Sequence, residues 1–176
     1  MAHQKRTSRY TLHTVFTLLQ VFSIALGVCW GADSSDLAGS EQIGRIRQGM
    51  SQSAVFSLLG PQPERGPSEL WGADGMYHQI WKYRGAGIEL SMVGEKKDSV
   101  KAVESITVTA PCPLSTKRGI HIGSTENEVM VAYRAEFDKD ASMAGESFVA
   151  GSVFGGLVFH FQANKVDQIF LGASAE

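Results

Sequence analysis

The chain has 176 residues, with 16 basic and 18 acidic side chains, a net charge of −2 and 43% hydrophobic residues. This composition is that of an ordinary globular protein, and it excludes a disordered polyelectrolyte and a multi-span membrane protein. No cluster of basic residues supplies the positive field that nucleic-acid phosphates require, so we expect no nucleic-acid partner. The two cysteines, Cys29 and Cys112, are too few for a disulfide-stapled scaffold.

The N-terminal segment has the pattern of a bacterial secretion signal, which we place at residues 1–31. Three basic residues lie within residues 1–14, an uncharged and mostly apolar run follows over 15–28, and the small residues Gly31 and Ala32 come next. The apolar run is shorter than the ~20 residues that span a bilayer, which favours processing over a retained membrane anchor.

Two processing routes fit this segment. Residues 26–29 resemble a lipoprotein box, in which Cys29 would be acylated and become the new N-terminus. Ordinary cleavage after Gly31 fits as well, and it removes three basic residues and no acidic one, which changes the net charge from −2 to −5. An acidic mature protein favours partners with basic patches. We expect an extracytoplasmic location, in the periplasm or at the periplasmic face of the outer membrane.

Residues 32–42 predict a polar tether that would hold the protein near the membrane if Cys29 carries a lipid. Contact with the membrane is expected only through a signal anchor or through that lipid. The other cysteine, Cys112, is predicted to be a small buried hydrophobic residue.

The mature chain shows a repeated order of segments. Insertions accumulate in loops, and the spacing between matched segments shrinks along the chain, as expected if the second copy has shorter loops. The matched segments are 46–55 with 120–129, 87–92 with 156–161, and 103–106 with 166–169.

Prolines mark the boundaries of the two copies. Three of the five follow the first predicted helix, and Pro111 and Pro113 lie between the copies. Proline interrupts both helices and strand ladders, so the second cluster predicts a linker. We therefore place a first unit at 43–110 and a second at 114–176.

Each unit begins with a predicted helix. In the first unit Ser51 is a good N-cap, an apolar stripe follows, and Gly60 with Pro61 ends the helix. In the second unit Thr125 and Glu128 form a capping box, and the apolar stripe continues to Phe137. A histidine such as His78, at the start of a predicted strand, is expected to be solvated or to lie at an edge.

Strand patterns follow each helix. Apolar and polar residues alternate with a period of two, which is typical of an antiparallel sheet with one buried and one wet face. The fold class is therefore predicted as α+β, in two tandem units, each a short helix or helix pair followed by a three-stranded antiparallel meander. The segments are 78–83, 88–92 and 103–106 in the first unit, and 148–154, 157–161 and 166–169 in the second.

Residues 49–63, Gly-Met-Ser-Gln-Ser-Ala-Val-Phe-Ser-Leu-Leu-Gly-Pro-Gln-Pro, resemble the signature of the SmpA/OmlA (BamE-like) family. Trp81-Lys82-Tyr83 stands where that family has an aromatic pair before its β-hairpin. The order of segments extends the resemblance over 41–109, and a tandem of such units is similar to the arrangement in β-lactamase-inhibitor proteins. The resemblance implies a non-enzymatic envelope protein that binds other proteins, including the barrel-assembly machinery.

No catalytic, metal or cofactor site is predicted. His78, His121 and His160 lack the spacing of metal ligands, and no nucleophile elbow or phosphate loop is present. Cys112 has no motif that marks it as a nucleophile. We therefore expect that the protein is not an enzyme and needs no cofactor.

Binding residues are predicted in the loop over 62–77. Leu70, Trp71, Met76 and Tyr77 form the tentative protein interface, because aromatic side chains on loops are frequent interface anchors. In the alternative, Trp71 and Tyr77 cap the open face of the sheet, because small domains also bury aromatic residues.

Three functions remain open at this point. The first is a non-catalytic, extracytoplasmic protein-binding module of the cell envelope, linked to outer-membrane assembly or integrity. The second is a secreted proteinaceous inhibitor of a hydrolase. The third is a small-ligand binder that uses the crevice between the two units. The oligomeric state is left open.

Overall fold

The computed structural model describes Met1 and residues 37–174. The predicted secretion signal after Met1, the lipidation candidate Cys29 and the first part of the predicted tether lie outside the described residues. Within the part described, no helix is long and apolar enough to cross a membrane.

Over residues 37–174 the structure has three α-helices, α1 (Leu37–Ser40), α2 (Gln52–Leu59) and α3 (Glu126–Tyr133). Nine strands make up most of the remaining regular structure. They are β1 (Glu64–Arg65), β2 (Glu69–Leu70), β3 (Tyr77–Tyr83), β4 (Ile88–Gly94), β5 (Ala102–Thr109), β6 (Phe137–Met143), β7 (Ser147–Ala150), β8 (Gly156–Gln162) and β9 (Lys165–Gly172).

All nine strands belong to one antiparallel sheet. Its order is β1-β3-β4-β5-β9-β8-β7-β6, and β2 pairs with β3 further along the same edge as β1. The two halves of the chain meet where β5 pairs with β9, with Ile106 opposite Leu171 and Val108 opposite Ile169. These four side chains are fully buried, so the junction lies in the middle of the core.

The predicted division into two helix-plus-meander units is therefore wrong. Alone, each meander would leave an outer strand, β5 or β9, with a row of unpaired N–H and C=O groups. Their pairing satisfies these groups and merges the two meanders into one sheet, and residues 37–174 belong to one compact unit. Alternating patterns predict which face of a strand is buried, but they carry no information on which strand is its neighbour.

One face of the sheet carries the hydrophobic core. Trp81, Leu90 and Phe159 are buried there together with Val55 of α2 and Tyr133 of α3. Burying a side chain of this size contributes about 1.5–3 kcal/mol. The residues that alternate with the core set on β3, β4 and β5 face the opposite side of the sheet.

The helix ends follow the predicted signals. The Ser51 hydroxyl accepts a hydrogen bond from the Ala54 amide at the start of α2. At the start of α3, Thr125 and Glu128 form the predicted capping box. The stripe predicted to continue the second helix to Phe137 is wrong there, because α3 ends at Tyr133 and Phe137 begins β6.

The described part of the predicted tether is packed rather than free. Leu37 and Ala38 of α1 are buried in the core. The following residues join the segment between the two halves, since the Gly44 amide donates a 2.7 Å hydrogen bond to the Ser115 carbonyl. Cys112, in the same segment, is buried as predicted, and burial raises the pKa of its thiol.

Candidate functional site

The predicted binding loop is the connection of a β-hairpin. Strands β2 and β3 pair Glu69 with His78 and Leu70 with Tyr77, and residues 71–76 form the loop between them. The Trp71 amide donates to the Met76 carbonyl over 2.9 Å, and the Gly75 amide donates to the Trp71 carbonyl over 3.0 Å. We call residues 69–78 the Trp71 hairpin.

A buried histidine lies beneath the tryptophan of this hairpin. The indole of Trp71 and the imidazole of His78 are stacked, with ring centroids 3.9 Å apart and an interplanar angle of 12°. His78 is only 3% exposed. The expectation of a solvated or edge histidine is therefore wrong, because the loop folds back and covers the ring.

Both nitrogens of this imidazole face carboxylates. Nε2 lies 2.9 Å from Oδ2 of Asp74, and Nδ1 lies 3.0 Å from Oε2 of Glu104. The Ser91 hydroxyl donates to the same Glu104 oxygen over 2.7 Å. A doubly protonated imidazole donates from both nitrogens, whereas a neutral ring donates from one. The ring is therefore held between two carboxylates, one at each nitrogen.

The aspartate ties the loop to the histidine. Oδ1 of Asp74 accepts a 2.9 Å hydrogen bond from the Met76 amide, while Oδ2 faces His78. The hydrogen bond from the Met76 amide, followed by the one from His78, lowers the pKa of Asp74 below its usual value. One carboxylate thus holds both the loop backbone and the buried ring.

The three residues also meet the distance requirement for a metal site, because donor atoms of Asp74, His78 and Glu104 lie within 4.8 Å of one another. Each carboxylate already lies at hydrogen-bond distance from a ring nitrogen, and these two hydrogen bonds account for the geometry without an ion. The chemistry of the group is that of a hydrogen-bonded clamp on the loop.

The predicted interface residues occur in two sets. Trp71 remains 38% exposed above His78, and Leu70 is 58% exposed on the edge strand β2. Tyr77 is the cross-strand partner of Leu70 and is partly buried, as is Met76. Trp71 therefore covers part of the sheet with one ring face and keeps substantial exposure, while its role at a protein interface stays a prediction.

Glu104 and the buried state of His78 were not predicted as parts of a site. The two residues are 26 positions apart and lie on β5 and β3, with β4 between them. A bulge at Ser91 and Met92 shifts the register of β4 against β5. No sequence pattern located that bulge, so the meeting of Glu104 with His78 required the full strand register.

Two cavities bear on the predicted binding sites. A small cavity of about 160 Å³ lies beside the indole and is lined by Pro67, Trp71, His78 and Ile80. The crevice predicted between two units is closed by the pairing of β5 with β9. A cavity of about 530 Å³ lies near this junction, with Lys82, Glu89, Thr107 and Gln168 among its lining residues.

The chain matches no family model, no curated protein and no solved structure. The resemblance of residues 49–63 to the SmpA/OmlA family therefore remains a prediction from the sequence.

Proposed function

We propose that the protein is a non-catalytic, extracytoplasmic protein-binding module of the bacterial cell envelope, linked to outer-membrane assembly or integrity. The Trp71 hairpin is the anchor of its interface. The observation that carries this proposal is the stacking of a partly exposed tryptophan on a histidine that two carboxylates hold in place.

The hydrogen bonds among Asp74, His78 and Glu104 hold Trp71 in place before a partner binds. Association normally loses about 0.5–1.5 kcal/mol for each flexible side chain that becomes ordered at an interface. The stack on His78 and the hydrogen bonds across residues 71–76 hold the Trp71 hairpin in one conformation in the free protein. A rigid, partly exposed tryptophan is the type of side chain that dominates binding energy at protein interfaces.

The surroundings of Trp71 indicate the kind of partner. The cavity of about 160 Å³ beside the indole has room for a partner side chain and is lined partly by Pro67 and Ile80. Glu69, on the adjacent edge strand, is exposed. An acidic rim beside an aromatic anchor favours a partner with basic residues around an apolar contact.

The geometry of the clamp favours binding over catalysis at this position. A general base needs a free nitrogen within reach of a nucleophile. Both nitrogens of His78 face carboxylates, and the nearby Ser91 hydroxyl donates to Glu104. These groups therefore support the hairpin, and neither ring nitrogen is free to act as a general base.

The proposal is tested by capture of a partner from detergent-solubilised envelope of the source bacterium after crosslinking. Wild-type protein and the Phe154→Ala control should recover the same protein, because Phe154 is 71% exposed and lies outside the Trp71 hairpin. Trp71→Ala should lose that protein. Leu70→Ala removes an exposed side chain outside the stack, so it tests the surface without loosening the clamp. Equal recovery by all four proteins would contradict the proposal.

A hydrolase inhibitor is the second candidate, and the same rigid hairpin favours it. Preformed loops are characteristic of proteins that bind enzyme clefts with little change of shape. Stoichiometric inhibition of an envelope hydrolase that is lost in Trp71→Ala would place this candidate first. Absence of inhibition across a panel of such enzymes would remove it.

A further inference from the structure

A third cavity lies beside β3 and does not include Trp71. Its volume is about 490 Å³, which falls in the range of small-molecule sites. It is bounded by the connection between β1 and β2 and by the loop between β4 and β5. The Ser68 hydroxyl joins these two segments by donating a 3.2 Å hydrogen bond to the Lys97 carbonyl.

A buried lysine lines this cavity. Lys101 is only 4% exposed. Its ammonium donates one long hydrogen bond, 3.4 Å to the Lys96 carbonyl. Within residues 37–174, no carboxylate lies within ion-pair distance of it. Burial of a charge without a partner is unfavourable, so the folded protein gains little stability from this ammonium.

The backbone around Lys101 is shaped to hold its side chain. A Cβ added to Gly94 would lie 3.2 Å from Cγ of Lys101 and 2.6 Å from the Ser99 hydroxyl. The absence of a side chain at Gly94 therefore makes room for the aliphatic part of the lysine. The Lys101 carbonyl accepts a 2.9 Å hydrogen bond from the Gln52 amide, which fixes the residue beside the start of α2.

Two further cations line the same cavity. The guanidinium of Arg65 lies 4.6 Å from the ring centroid of Trp81 and donates no hydrogen bond to the described part of the protein. Its stacking leaves the N–H groups at the edge of the guanidinium available to a ligand. Lys97 is exposed and forms no ion pair with residues 37–174, and Asp98 is the acidic residue in the lining. Positive charge is therefore in excess.

We propose that this cavity binds a compact oxyanion, the phosphate or carboxylate group of a small molecule. The Lys101 ammonium is the central ligand, because it is buried and has donors left for a ligand. Arg65 supplies the forked donor set that matches either anion, and Lys97 adds charge at the rim. This site is separate from the Trp71 hairpin and independent of the proposed protein-binding function.

The experiment titrates the full-length protein with inorganic phosphate and, separately, with citrate. Sodium chloride of matched ionic strength corrects for screening. A ligand that binds only the folded state raises the melting temperature, and we expect a rise of a few degrees at tens of millimolar phosphate or citrate. Binding followed by amide NMR shifts should localise the response to Lys101 and its neighbours. A response to phosphate alone or to citrate alone supports the site and identifies the anion it prefers.

Lys101→Met removes the ammonium and keeps the aliphatic stem, so it should weaken anion binding at least tenfold. It should also raise the melting temperature in the absence of added anion, because it removes an unpaired buried charge. Lys139→Met is the matched control, since Lys139 is exposed on β6 and outside the cavity. If Lys101→Met fails to fold, Arg65→Gln must show the same loss. Equal responses in wild type and variants, or no response beyond sodium chloride in wild type, would overturn the proposal.

Discussion

The indole of Trp71 is stacked on the imidazole of His78 at a centroid distance of 3.9 Å, and that imidazole lies between the carboxylates of Asp74 and Glu104. The side chain that the partner would contact is therefore supported by a buried imidazole that is held between two carboxylates. The order of the Trp71 hairpin depends on His78 of β3 and Glu104 of β5. Substitutions of these residues should therefore change the position of Trp71 at the surface.

Removal of Glu104 should destabilise the protein and loosen the hairpin. Glu104→Ala leaves the His78 Nδ1 and the Ser91 hydroxyl without their shared acceptor. Loss of an acceptor for buried donors costs about 1–3 kcal/mol, and we expect a decrease of this size in the free energy of unfolding by urea. Glu89→Ala is the matched control, because Glu89 is similarly exposed and its ion pair with Lys82 lies on the surface. That variant should lose less than about 1 kcal/mol. Equal losses would contradict a special role for Glu104.

The contribution of Asp74 should disappear in acid. Its hydrogen bonds from the Met76 amide and from His78 lower its pKa from the usual value of 3.8. A carboxyl whose pKa is lowered by folding stabilises the protein above its unfolded pKa, and this contribution is lost as the pH falls through the folded pKa. The stability difference between wild type and Asp74→Asn should therefore be present at pH 5 and shrink as the pH falls below 3.8. Urea unfolding at a series of pH values measures this difference, and a constant difference down to pH 2 would contradict it.

Tyr133→Phe should leave stability unchanged or raise it. The ring of Tyr133 is buried in the core, and within residues 37–174 its hydroxyl forms no hydrogen bond of good geometry, although the side chains of Thr116 and Glu41 interact with it. Burial raises the pKa of this phenol, so it stays neutral. An unpaired buried hydroxyl costs about 1–3 kcal/mol, and its removal recovers part of that cost. Thermal unfolding tests this expectation, and a clear decrease in melting temperature would show that the hydroxyl has a partner.

The two halves of the sheet should unfold together. Ile169 lies on β9 opposite Val108 of β5, at the junction between the halves. Ile169→Val should reduce stability by about 0.5–1.5 kcal/mol. In one cooperative unit, the slowest amides of β3 and β4 should lose the same free energy of hydrogen exchange as those of β8. A loss confined to β7–β9 would contradict a single cooperative sheet.

Several elements of this fold follow from local sequence signals, whereas α1, β6 and the assembly of the sheet do not. Ser51, Gly60 and the Thr125 capping box set the helix ends where the sequence places them. The pairing of β5 with β9 joins distant parts of the chain, and the alternating pattern of either strand fits any antiparallel neighbour. The two-unit prediction failed for that reason.

The candidate site, like the fold, was predicted only in part. Trp71 and Leu70 were predicted as interface residues because aromatic side chains on loops are frequent interface anchors, and both are exposed in the structure. The contact between His78 and Glu104 that supports them was not predicted, because it depends on the register of three strands and on a bulge in β4. Lys101 was missed because no pattern distinguishes a buried lysine after a polar loop from a solvated one.

The central claim is that Trp71 anchors a protein interface. The most direct test is the affinity of the captured partner, once purified, for wild type, Trp71→Ala and Phe154→Ala, measured by titration calorimetry. Truncation of an interface anchor to alanine costs about 2 kcal/mol or more of binding free energy, so Trp71→Ala should bind at least about 30-fold more weakly. Phe154→Ala should bind within about twofold of wild type, by the same reasoning for a side chain outside the interface. An unchanged affinity for Trp71→Ala, with its fold intact, would contradict the account.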